Sequence, residues 1–193
     1  MKIIVWNSQD KCVADYHKLI RGCDVLCLLD CGQWTVPVYA LQIQNGLFHW
    51  KDEHEGLSYD IFYCLEKVAF ICRDGLYSGE SVLYSIHSNI GSLVGIRLQD
   101  DFWLFANHES NRSNACHIGE FYLREISDRF RKAAFVADFK EKSYSWAQET
   151  IGGLYCIAPP KGYHPHTINY LFTIPVALSL IHISEPTRRT PIS

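Results

Sequence analysis

The chain has no apolar run that approaches the ~20 residues needed to cross a bilayer. No secretory leader is expected either, because Lys2 is followed by only four apolar residues before Asn7. As written, the product is expected to stay in the cytoplasm, and secretion would require a longer N-terminus. Charge of one sign is scarce too: the formal net charge is -3, with 20% charged residues. That excludes a global pull toward polyanions, so any nucleic-acid site must be a local basic patch. No Cys-x-x-Cys pair occurs, which removes zinc-ribbon spacing. No internal repeat is visible.

What remains is an ordinary globular composition. A chain of 193 residues with 48% hydrophobic content is long enough for one well-cored domain. The eight cysteines, several of them inside apolar runs (Cys64, Cys72, Cys156), read as small core thiols. The chain opens strand, helix, strand: residues 2–6, then a helix with Val13, Tyr16, Leu19 and Ile20 on one face and Gly22 closing it, then residues 24–29. Residues 32–56 read as loop-rich, with weak alternation near Val36 to Ile43. Short strands follow at 60–64, 67–72, 81–86, 93–98 and 102–107. The turns at 73–75 and 99–101 fit antiparallel hairpins. Residues 115–132 form the clearest helix, with Ile118, Phe121, Tyr122, Ile126 and Phe130 on one stripe. Strands at 133–137, 153–158 and 167–174 complete the pattern, and together these elements predict an α/β sandwich of two mixed sheets flanked by helices.

The stretch from Phe102 to Arg112 concentrates the chemistry. An aromatic-rich buried strand ends in Asn107, His108, Glu109, Asn111, Arg112 and Asn114. The same stretch also fits a strand running into a solvated loop, with His108 as a rim histidine. Other strands end in polar groups as well: Asn7, Asp30, Asp138 and Asn169. A site made of strand tips, carboxylates and a histidine suits a hard dication together with proton transfer. Asp30 would hold Mg²⁺ or Mn²⁺. His108 would stabilise a phosphate or move a proton, and Arg112 would neutralise phosphate charge.

The order of motifs resembles the endonuclease/exonuclease/phosphatase superfamily. The carriers are Val5, Trp6 and Asn7; residues 24–30 ending in Asp30; Gly95 to Arg97 before Phe105 to His108; and Ala137, Asp138 and Phe139. Residues 67–73 and the pair Arg112 and Asn114 add to it. Within that superfamily the chain resembles most the nuclease subunit of cytolethal distending toxin, related to pancreatic deoxyribonuclease. The resemblance covers roughly residues 1–174. It implies a four-layer α/β sandwich and Mg²⁺-dependent hydrolysis of DNA phosphodiester bonds by an activated water. It assigns His108 to the scissile phosphate, Asp138 to the attacking water or metal, and Asn7 with Asp30 to the metal. Asn169 joins the catalytic group, while Arg112, Asn114 and Lys140 bind substrate. Toxin-delivery subunits would be the implied partners.

Several positions depart from the family pattern. Asp30 stands where a glutamate is usual, Lys140 where an asparagine is usual, and Asn169 where an aspartate is usual. The terminal Ser-Asp-His has no counterpart; His182 has no carboxylate before it. Residues 179–193 read as a non-native read-through tail, leaving residues 1–178 as one domain that is expected to lack its last strand. Two alternatives stay open: a degenerate member acting as a binding module, and a phosphoinositide phosphatase. His164 and His166, separated by proline, read as an exposed turn, and Arg124 to Lys132 as the solvated face of a helix.

Overall fold

The computed structural model describes residues 1–7, 19–31, 36–52, 56–64, 67–86, 91–109, 112–126, 129–130, 132–138, 155–157, 169–173 and 179–182. Thirteen strands are described: β1 (Lys2–Asn7), β2 (Val25–Leu29), β3 (Leu41–Gln44), β4 (Leu47–Lys51), β5 (Ser58–Cys64), β6 (Val68–Arg73), β7 (Tyr77–Ile86), β8 (Gly91–Leu98), β9 (Phe102–Asn107), β10 (Ala133–Asp138), β11 (Tyr155–Ile157), β12 (Asn169–Thr173) and β13 (Ser179–His182). One helix, α1 (Arg112–Phe121), runs on into a π-helical turn over Tyr122–Ile126.

The strands form two mixed sheets. The first has the order β13-β1-β2-β6-β5-β4-β3 and the second β11-β12-β10-β9-β8-β7. Alternation along each strand builds three apolar layers, because successive side chains leave opposite faces. In β1, Ile3 and Val5 enter the layer between the sheets, where they meet Val25, Cys27, Phe70, Leu104, Ala106 and Val136. Ile4 and Trp6 point the other way, into a second layer with Ile20, Leu26, Leu28, Trp50 and Ile61. On the outer face of the other sheet, Ile118, Tyr122 and Ile126 pack against Leu93, Trp103, Phe105 and Phe135. Among the described residues α1 is the one full helix flanking the sandwich. Leu19 and Ile20 are helical at the opposite face, and the rest of the helix expected before them lies outside the described residues. Among the described residues no helix is long and apolar enough to cross a membrane.

Several expectations change in detail. The turn at 73–75 was expected to close a hairpin, but β6 and β7 belong to different sheets. Both edges of β6 are already taken, by β2 and β5, so the chain must leave the sheet and cross the sandwich. The turn at 99–101 does join an antiparallel pair, β8 and β9. Residues 32–56, read as loop-rich, contain the β3–β4 pair. The overlooked signal is Asn45 followed by Gly46, whose φ of 75° is the left-handed geometry a tight hairpin needs. The long helix starts at Arg112, earlier than expected, and gives way to the π turn before residue 127. Ser179–His182, set aside as part of a tail, lies parallel on β1, with Lys2 opposite Ser179 and Val5 opposite His182. The cysteine reading agrees where it can be seen: Cys23, Cys27, Cys31 and Cys72 are buried free thiols.

Candidate functional site

Two parallel pairs create the site. Parallel neighbours end side by side, so their C-terminal tips gather at one end of a sheet, where ligands of such sheets commonly sit. In the first sheet β1 and β2 are parallel, with Asn7 opposite Leu29, which places Asn7 next to the residue before Asp30. In the second sheet β9 and β10 are parallel, with Asn107 opposite Ala137. The antiparallel β12 brings Asn169 opposite Asp138 at the same end.

The two tips belong to one site. His108 Nδ1 lies 3.5 Å from Asp30 Oδ1, so a side chain from the end of β9 meets one from the end of β2 across the sandwich. The His108 side chain is only 9% exposed and that of Asp30 33%. A charge at a half-buried rim is screened less than one in open water. The Asp30 carboxylate faces the Nδ1 edge of the imidazole.

Local backbone chemistry explains how these side chains reach that position. Asp30 leaves β2 with φ of 54°, a left-handed conformation that aspartate and asparagine tolerate better than most residues. The chain therefore turns sharply at the strand tip and leaves the carboxylate at the rim. Asn107, 2% exposed, donates from Nδ2 to the Ser92 carbonyl at 2.6 Å. That bond pins the end of β9 to β8 one residue before His108. Its Oδ1 is buried and has no partner among the described residues. Gly91, with φ of 117°, lets this corner close: a Cβ there would stand 3.2 Å from Glu109 Oε2 and 3.3 Å from Ile118 Cδ1.

The remaining expected site residues fall into three groups. Arg112 is the first residue of α1, and Asn114 is half-buried in that helix, which starts four residues beyond His108. Asn7, Asp138 and Asn169 are placed by their backbones at the strand tips. Lys140 lies outside the described residues. The structure adds Asn107, Glu109 and Gly91 to the neighbourhood. Asn107 and Glu109 stood in the polar burst after the strand, but nothing in their spacing marked Asn107 as the buried anchor.

The donor chemistry at the tips is oxygen-rich. Asp30 supplies a partly exposed carboxylate, and Asn107 Oδ1 is a buried acceptor on the neighbouring tip. Such donors fit a hard dication that keeps several waters, and not a thiolate-seeking metal.

No protein-family model matches the chain, and no curated protein matches it. Among solved structures, the chain is similar to the endonuclease domain of TRAS1, a telomere-specific non-LTR retrotransposon. That pair is 12% identical, with a TM-score of 0.46 and coverage of 89% of this chain and 84% of the other. A functionally unknown conserved protein from Enterococcus faecalis is similar at 11% identity and a TM-score of 0.47, covering 89% and 86%.

Proposed function

We propose that the chain is a metal-dependent phosphodiesterase that hydrolyses DNA. The observation that carries this reading is the His108–Asp30 contact at 3.5 Å, which joins the polar ends of both sheets into one rim. A phosphodiester is an anion with a poor leaving group, so its hydrolysis calls for charge neutralisation, a positioned water and a proton for the departing alkoxide.

In this reading His108 binds a non-bridging oxygen of the scissile phosphate through Nε2. Asp30 faces the Nδ1 edge of the ring, and Nε2–H hydrogen-bonds the oxygen as negative charge grows. Asp138 orients the water, with Asn169 across the ladder from it. Arg112 and Asn114 bind phosphate and Lys140 a flanking one. A Mg²⁺ or Mn²⁺ ion held by Asp30 and Asn7 would neutralise phosphate charge and acidify water when bound. The water oxygen forms the new P–O bond and gives up a proton to solvent, the P–O bond to the leaving sugar breaks, and the alkoxide takes up a proton from solvent, so that one water is added across the diester.

Plasmid nicking in Mg²⁺ tests this. The chain is expected to convert supercoiled plasmid to open circles, with activity lost in chelator and reduced at least about 100-fold in His108→Ala, as when one phosphate-stabilising donor is removed. A folded chain that cleaves neither plasmid nor bis-p-nitrophenyl phosphate would overturn the enzyme reading. Cleavage of the small diester with plasmid left intact would overturn DNA as the substrate.

A further inference from the structure

A second polar cluster lies away from the strand tips, on the antiparallel half of the first sheet. His49 on β4 and Asp60 on β5 stand directly opposite each other in the ladder, with His49 Nδ1 3.0 Å from Asp60 Oδ1. Asp74, in the turn after β6, is drawn to the same place because its N–H donates to the Ser58 carbonyl at 2.9 Å. Ser58 and Asp60 are two apart on one strand and so share a face. One ligating atom from each of His49, Asp60 and Asp74 lies within 4.8 Å of the other two.

The cluster carries an unneutralised charge. Arg73, beside Asp74 in sequence, is committed elsewhere: its guanidinium pairs with Asp24 at 3.4 Å and donates to the Cys23 carbonyl at 3.3 Å. Among the described residues no lysine or arginine pairs with Asp60 or Asp74. Two carboxylates held this close, with a single imidazole beside them, leave a local deficit of positive charge that a bound cation would remove.

We propose that His49, Asp60 and Asp74 form a binding site for a transition-metal dication of the zinc type, separate from the strand-tip site. One imidazole and two carboxylates from three chain segments match the ligand types zinc takes, with water completing the shell. Zinc's bond lengths put neighbouring donor atoms about 3.3 Å apart in a tetrahedron, so the 3.0 Å pair needs to open only slightly. Asp74 is exposed, and its side chain can swing inward without disturbing the core. The ion would tie the β6–β7 crossing to the β4–β5 ladder, where the chain passes from one sheet to the other. Its expected role is a clasp at that crossing.

Cobalt(II) is the probe, added to the full chain in excess Mg²⁺ so that the oxygen-rich rim is occupied. One equivalent is expected to give visible ligand-field absorption that Zn²⁺ abolishes. Asp74→Asn and His49→Gln, whose melting temperatures in chelator should equal that of the parent, are expected to weaken binding at least about tenfold. Zn²⁺ should raise the melting temperature of the parent and not of Asp74→Asn. Absence of cobalt binding, or binding unchanged in both variants, would overturn the proposal.

Discussion

Asp30 carries two demands at one position: a left-handed backbone at the exit of β2 and a carboxylate on His108. These can be separated by substitution. Asp30→Asn keeps a side chain suited to left-handed geometry and removes the charge, whereas Asp30→Ala removes both. Both variants are expected to lose Mg²⁺-dependent nicking. Asp30→Ala should in addition lose about 1 kcal/mol of stability, read as a lower urea midpoint, while Asp30→Asn stays near the parent. Equal stability loss in both variants would mean that the charge, and not the backbone, is what the fold requires at residue 30. At this scale much was legible in advance. A run of polar residues directly after a buried aromatic strand marked His108, and the polar residue ending the second strand marked Asp30. Their partnership was not legible, since the two are 78 residues apart in sequence and meet only across the sandwich.

At the scale of elements, the close fit of β8 to β9 controls how the site is presented. A Cβ at Gly95 would overlap Phe105 Cε1 and stand 2.6 Å from Phe105 Cδ1. Phe105 cannot retreat, because it is fully buried between Trp103, Tyr122 and Phe130. Gly95→Ala is therefore expected to cost about 1–3 kcal/mol by overpacking, measured by urea unfolding. Because Phe105 lies on β9, three residues before His108 at the tip of that strand, nicking should fall even at temperatures where the variant is folded. The strands were readable from period-two alternation and the helix from its apolar stripe. The π turn and the early helix start were not, since they depend on how Tyr122 and Ile126 settle over Phe135 and Trp103. The destination of β7 was also hidden: a turn of Arg73, Asp74 and Gly75 has the same local chemistry whether it closes a hairpin or crosses between sheets.

For the whole molecule, the buried thiols predict an alkaline limit to stability. Burial, helped by the neighbouring Asp24 charge, pushes the Cys23 thiol from its ordinary 9.0 up to about 12. Burial also raises Cys27, with Cys31 and Cys72 adding to it. Cys72 is raised by burial and by the Asp60 charge. In the unfolded chain these thiols lose their protons near 9, whereas the folded chain retains them. Between about 9 and 12 the unfolded state therefore binds fewer protons, and stability falls as pH rises. The urea midpoint should hold steady below pH 9 and decline above it. The decline should be shallower in Cys72→Ala, which lacks one of these titrating groups. An identical slope in both proteins would show that the thiols do not set the limit.

The sequence by itself determined the alternation that makes strands, the apolar stripe of α1, the buried character of the cysteines and the polar character of the strand ends. Those properties follow from side-chain chemistry and local period, which neighbouring residues settle among themselves. Only the tertiary structure decided which sheet each strand joins, that Ser179–His182 pairs with β1, and that His49 and Asp60 face each other beside Asp74. It also decided that the tips of β2 and β9 meet at His108 and Asp30. These are long-range matches in which every free strand edge and apolar face competes for the same partners. The outcome rests on the packing of both sheets together and not on any local stretch of chain.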